Sequence, residues 1–185
     1  INTAPLNRLP IRTFLCKWDE ATIMKAVQSE LARGGQIFFI HNRVQSIYQI
    51  ADELKEFLPE VRIRVAHGQM KEDELENTML EFYKGHVDML VATTIIESGL
   101  DIPRANTMFI HDAQNFGLSQ LYQLRGRVGR SSERAYCYLL IPSTKTIDKE
   151  AQERLKVIQE NSTLGSGIKI AQRDLDLRGA GNILG

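Results

Sequence analysis

The sequence predicts an α/β fold: a mainly parallel sheet with helices on both faces, followed by a shorter appendage. Three observations carry this. Short apolar or alternating runs of strand length recur at 11–16, 37–40, 61–66, 89–93, 107–111 and 135–141. Between most of them lie amphipathic stretches of helical period, which is the pattern of βαβ units. From about residue 146 that alternation stops, and a glycine-rich stretch closes the chain. A boundary near 143 separates a domain over 1–143 from an appendage over 144–185.

Each element has a local reason. IRTFLC (11–16) alternates as a strand does, and Asp19 is placed as a helix N-cap. Ile23, Ala26, Val27 and Leu31 then keep a helical stripe until Gly34 and Gly35 stop it. IFFI (37–40) is continuously apolar, as suits a strand covered on both faces. Residues 44–58 carry Ile47, Ile50, Ala51, Leu54 and Leu58 at helical spacing and are closed by Pro59. VRIRVA (61–66) alternates, and a third helix over 71–84 ends at Gly85. MLVAT (89–93), TMFIH (107–111) and AYCYLLI (135–141) are further strands, with a helix around 118–126. A last helix is expected over 147–160, leading into the segment that holds Gly165, Gly167, Gly179, Gly181 and Gly185.

Composition bounds the function classes. A chain of 185 residues with 43% hydrophobic and 25% charged content is a globular protein of about one domain. Charge balances at 23 basic against 23 acidic residues, which excludes a polybasic nucleic-acid binder but permits a local basic face. Cys16 and Cys137 have no CxxC spacing and read as buried small hydrophobes. His41, His67, His86 and His111 lack the spacing of a zinc site, so no metal is expected on this chain. No apolar run reaches the roughly 18 residues of a membrane span, and no signal peptide opens the sequence, so a cytoplasmic protein is expected. The chain begins with Ile and stops inside a glycine-rich segment, and is expected to be a piece of a longer polypeptide.

Ligands of open parallel sheets gather at the carboxyl ends of strands, which directs attention to the connecting segments. TTIIESGLDIP (93–103) offers hydroxyls and backbone N–H groups to a phosphate, with Gly99 and Asp101 behind them. On spacing alone, a Thr N-cap, a one-turn helix and an Asp-Ile-Pro turn explain it more simply. QLRGRVGR (123–130) is harder to explain structurally. Arg125, Arg127 and Arg130 are separated by Gly126 and Gly129, and residues 123–134 hold four arginines against one glutamate. Arginine forks grip phosphate oxygens, and glycines between them allow close approach, so phosphate or transition-state binding is expected. AHGQM (66–70) places His67 and Gly68 at a strand end beside Arg62, Arg64 and Lys71. This suits contact with a nucleic-acid backbone, although a plain turn explains it too.

Two motifs are absent. No GxxxxGK[ST] cradle occurs, and the acids of KEDELE (71–76) open a helix rather than follow a strand. Phosphate-binding arginines without a cradle make half of an active site. GAGNILG (179–185) misses GxGxxG spacing and follows no strand, so it is no dinucleotide site.

These motifs resemble those of superfamily 2 helicases. TTIIESGLDIP resembles motif V, QLRGRVGR motif VI, and IFFIHNRVQSI (37–47) with AHGQM motifs IV and IVa. The resemblance runs from about residue 8 to the end. It implies the second RecA-like, three-layer domain of a bacterial duplex-DNA translocase. The appendage is then a helical hairpin at roughly 147–175 with a loop at RDLDLRGAGNILG (173–185). GGQIFFIHNRVQSI, AHGQM, ESGLDIPRANT and RGAGNILG lean towards translocases that displace stalled RNA polymerase for nucleotide excision repair. Fork-reversing relatives are expected to carry Pro where Ala180 sits. Ser98 stands where Thr is common, and Asn182, where Glu is common, removes a negative charge from the loop.

The resemblance also implies residue roles. ATP and its Mg would be held by a first RecA-like domain of the same parent chain, and this domain would close over them. Arg127 and Arg130 would act as arginine fingers. Gln123 would sense the nucleotide or attacking water, and Gly99 with Asp101 would meet the ribose side. His67, Gly68, Thr93 and Thr94 would hold one strand of double-stranded DNA by its phosphates. Glu97 and Arg178 would couple cleft closure to movement along DNA. RNA polymerase and excision-repair proteins would be met through other domains. A different class, a non-catalytic docking module, fits the neutral charge and missing cradle but gives no reason for three glycine-spaced arginines.

Overall fold

The structure, a computed structural model, describes residues 9–93, 101–129, 131–144 and 146–161. Six strands form one sheet: β1 (Arg12–Lys17), β2 (Gln36–Ile40), β3 (Ile63–Ala66), β4 (Met89–Ala92), β5 (Ala105–Ile110) and β6 (Tyr136–Ile141). Their order across the sheet is β1-β6-β5-β2-β4-β3, and every pairing is parallel. Helices α1 (Glu20–Ala32), α2 (Ile47–Phe57), α3 (Glu72–Tyr83), α4 (Leu118–Arg125) and α5 (Lys149–Glu160) cover it. Among the described residues the expected strands and helices are present, with ends moved by one or two residues in most cases. The largest departure is at 44–46, which form a 3-10 turn before α2 starts at Ile47.

Parallel strands buried on both faces sort their side chains by parity. Ile37 and Phe39 of β2, Met89 and Val91 of β4, and Phe109 of β5 face Ile23, Val27, Ile47, Ile50 and Leu54 of α1 and α2. Ile40, Leu90, Ala92, Met108 and Ile110 face the other way, onto Met79, Phe82, Leu118, Leu121, Leu155 and Ile158 of α3, α4 and α5. Three layers result, with the sheet in the middle.

Helix ends follow their local chemistry. Asp19 caps α1 by accepting from the Thr22 amide at 3.0 Å, and Asp148 caps α5 by accepting from the Ala151 amide at 2.7 Å. Gly34 ends α1 at φ +82°, where a side chain would be strained. At Gly35 the requirement is space: an added Cβ would lie 1.8 Å from Glu30 Oε2.

Among the described residues no helix is long and apolar enough to cross a membrane. Cys137 is buried, with its thiol pushed up to about 12 by that burial, whereas Cys16 is half-buried. The rest of the expected hairpin and its loop, including Arg178, Ala180 and Asn182, lie outside the described residues.

Candidate functional site

The described site residues fall at the two opposite ends of the strands, the amino edge and the carboxyl edge of the sheet. The arginine segment does not follow a strand, contrary to the expectation that ligand-binding segments lie at the strands' carboxyl ends. It leaves α4 and runs to the amino end of β6. There Arg12 N–H donates to Ala135 O at 3.0 Å, and an added Cβ on Gly129 would sit 3.1 Å from Ile11 Cγ1. Gly129 has φ +77°, so both its conformation and its close packing demand glycine.

The three arginines of this segment do not share one task. Arg125 is only 2% exposed and donates to Ile158 O at 2.6 Å, to Asn161 O, and to Thr13 Oγ1 at 3.3 Å. Burial pulls its pKa down. It fastens the C-terminal end of α5 to α4, so it is unavailable to phosphate. Arg127, by contrast, is exposed, and its side chain has no hydrogen bond or ion pair among the described residues. Gln123 is exposed as well. Arg130 lies outside the described residues.

Asn106 holds this loop in place. Its Oδ1 accepts from the Gly129 amide at 3.4 Å, and its Nδ2 donates to Pro103 O at 2.9 Å and to Ser131 Oγ at 3.3 Å. One buried amide thus laces the segment after exposed Asp101 to both neighbours of position 130. Nearby, Arg33 donates to both oxygens of buried Glu30 at 2.7 Å and to Arg134 O at 2.6 Å. The hydrogen bonds to Glu30 raise Arg33's pKa. Asn106 and Glu30 were missed in sequence. The available signal was a polar pair, Asn106-Thr107, inside a fully buried strand.

At the carboxyl edge, register makes a row. Ile110 pairs with Ile40, Ile40 with Ala92, and Ala92 with Ala66. The next residues, His111, His41, Thr93 and His67, therefore stand side by side. Thr93 is buried, and its hydroxyl has no hydrogen-bond partner among the described residues. A buried unpaired hydroxyl is costly unless something arrives to pair with it. His67 is 8% exposed, accepts the Gln69 amide on Nδ1 at 3.1 Å and faces the Tyr48 hydroxyl with Nε2 at 3.2 Å. Both ring nitrogens are therefore engaged, and the ring shapes the loop on which exposed Gly68 presents its backbone. Thr94, Glu97 and Gly99 lie outside the described residues.

Helix α5 joins the two edges. Arg154 donates to Phe116 O at 3.2 Å and to Gln114 O at 2.9 Å beyond the carboxyl end of β5, while Arg125 holds the helix's other end. Its 12 residues span about 18 Å.

Strand order, three layers and the arginine loop define a RecA-like motor domain of the helicase kind. Residues 20–132 match the helicase conserved C-terminal domain family, and the chain belongs to that family. It is 54% identical over 185 residues to the transcription-repair-coupling factor of Myxococcus xanthus and 53% identical to that of Staphylococcus aureus strain USA300. Each match covers 100% of this chain but only 15% and 16% of those relatives, so the chain spans about one-sixth of their length. Among solved structures, RecG bound to a three-way DNA junction aligns with a TM-score of 0.80 at 38% identity, over 98% of this chain and 24% of that one. The C-terminal domain of the DEAD-box protein Dbp5 shares the fold, with a TM-score of 0.59 at 18% identity over 82% of this chain and 84% of that one.

Proposed function

We propose that the chain is the second RecA-like motor domain of a bacterial, cytoplasmic, ATP-dependent duplex-DNA translocase. In this reading the parent protein displaces stalled RNA polymerase and couples transcription to nucleotide excision repair. The similarity to two transcription-repair-coupling factors supports the choice of parent. One structural observation carries the motor reading: Arg127 is exposed, and unpaired among the described residues, on a loop whose neighbours are fastened by Asn106 and Arg125. Donors fixed in advance are what a developing phosphoryl charge requires.

Residues 1–143 form the motor domain in this proposal, and 144–185 the translocation appendage. ATP with its Mg rests on a first RecA-like domain elsewhere in the parent, and supplies the phosphoryl group that is transferred to water. Arg127 and Arg130 reach towards its phosphates, Gln123 on α4 senses the nucleotide or the attacking water, and Asp101 with Gly99 faces the ribose. Without the cradle this chain alone does not hydrolyse ATP. At the other edge Gly68, Thr93 and Thr94 hold DNA phosphates without reading sequence, with His67 shaping the loop. The unpaired Thr93 hydroxyl gains a partner there. Glu97 and Arg178 transmit closure to the appendage, and α5 bridges the two edges.

Steady-state ATPase assays on the full-length parent test this. Arg127→Ala and Arg130→Ala are each expected to lower turnover by about 10³ or more, with duplex binding retained by gel shift. Near-normal turnover in both variants overturns the finger assignment and leaves a docking module. The RecG likeness favours a second reading, fork reversal. Triplex displacement without release of stalled polymerase by the parent would select it.

A further inference from the structure

The carboxyl edge contains a histidine pair that the roles above do not use. His41 and His111 leave adjacent strands side by side, with their Nδ1 atoms 2.8 Å apart and ring centroids 5.0 Å apart. Two Nδ1–H groups would collide at that distance and two bare nitrogens would repel, so one hydrogen lies between them. Beyond it, His41 Nε2 faces the Ser46 hydroxyl at 2.7 Å, and His111 Nε2 faces the Asp112 carboxylate at 3.9 Å. A hydroxyl both donates and accepts, so the shared hydrogen can sit on either ring. On His111 it leaves His41 Nε2–H donating to Ser46. On His41 it lets Ser46 donate to Nε2 and turns the His111 Nε2–H towards Asp112.

A pair placed for packing alone would be closed off. This one opens onto a cleft of about 250 Å³, lined also by Asn42, Arg43, Asp112 and Asn115. That volume is below the ~300–1,000 Å³ of sites for drug-sized ligands, and suits one small polar group. Asp112 adopts the left-handed conformation at φ 51°, a strain that holds its carboxylate beside His111. The charges decide what fits. Arg43 and Asp112 cancel, so with a neutral pair the lining carries no net charge; one more proton makes it cationic. Glu53 on α2 is the other carboxylate acting on His111, and Arg43 acts on His41 against a further proton.

We propose that this cleft binds a phosphate group, and that binding is linked to uptake of one proton by the His41–His111 pair. In the empty state, burial and then the neighbouring His111 hold His41 down to about 4, and burial lowers His111 too. A phosphate adds to the counter-charge of Asp112 and Glu53, so the bound pair is cationic at higher pH. The phosphate can come from a DNA backbone or from a free anion. The nucleic-acid reading of this edge makes DNA the expected source, and the inference rests on that reading only for the source.

The test follows both histidines by NMR in the full chain with ¹⁵N-labelled rings, alone, with inorganic phosphate, and with a duplex oligonucleotide. Calorimetry of duplex binding in two buffers of different ionisation heat measures proton uptake in parallel. The expected result is an upward shift of about one pKa unit or more, and uptake of up to one proton. Duplex affinity then falls by up to about tenfold per pH unit between the empty pair's pKa and the bound pair's, and is flat above the latter. His41→Gln and His111→Gln each abolish the uptake. A shift with inorganic phosphate as well as DNA makes the cleft a general phosphate site; a shift with DNA alone makes it a backbone site. Duplex binding with neither shift nor uptake overturns the proposal while leaving the nucleic-acid reading intact. If duplex does not bind, that reading fails, and the phosphate arm decides the cleft alone. The wild-type measurements stand even if a glutamine variant does not fold.

Discussion

At the amino edge Arg125 gives its guanidinium to the carbonyls of Ile158 and Asn161, Asn106 bonds on both sides of its amide, and Glu30 accepts from Arg33 and Thr107. At the carboxyl edge Thr93 keeps a buried hydroxyl without a partner among the described residues, and His41 and His111 share a hydrogen that either ring can hold. Both edges belong to one sheet, yet one is fastened and the other is left adaptable. In the proposed motor this matches the two ligands. Transition-state charge is best met by donors already in position, whereas contacts that move along DNA must form and release repeatedly.

The contrast can be broken at its strongest point first. Arg125→Met is expected to cost about 3 kcal/mol, because the buried Ile158 carbonyl and the part-buried Asn161 carbonyl lose a charged donor. Urea denaturation measures the loss, and hydrogen exchange should show α5 amides opening before the sheet. Protection of α5 equal to wild type would mean that something else fastens it.

Next comes pH, which acts on the adaptable edge. His41 is held at about 4 against an ordinary 6.5, mainly by burial. Between those values the unfolded chain binds a proton that the native chain refuses, so stability falls as pH drops from 6.5 towards 4. The loss stops growing below 4, where the native state is protonated too. It amounts to at most about 3 kcal/mol, and His41→Gln should flatten the profile in thermal melts taken across this range.

Asn106→Ala is smaller, at about 2 kcal/mol. Its sharper readout is functional: parent ATPase should fall more than tenfold with duplex affinity unchanged, since the loop loosens while the far edge does not. Equal losses in both would mean that the edges are not independent. The smallest effect is expected for Thr93→Val, within about 0.5 kcal/mol of wild-type stability, because the lost hydroxyl has no partner among the described residues to leave behind. Duplex affinity should nevertheless weaken. A marked loss of stability would show that the hydroxyl is already paired.

Much of this molecule was legible along the chain. Alternation and helical period located the strands and helices, and glycine spacing singled out the arginine loop. The division of labour inside that loop was not legible. Arg125 and Arg127 look alike in QLRGRVGR; only the docking of α5 onto α4 buries one and leaves the other in solvent. His41 and His111 gave no signal either, since neither has metal-ligand spacing. Asn106 was hidden in a strand whose apolar neighbours dominated the pattern.

Sequence by itself determined the fold class, the element order and the family, because periodicity and motif spacing are relations between near neighbours in the chain. Tertiary structure decided which polar groups meet. Parallel crossovers place β5 beside β2 and bring together histidines 70 residues apart, and the same winding sends the arginine loop to the opposite edge. Adjacency across a sheet depends on strand order, which no local run of residues encodes.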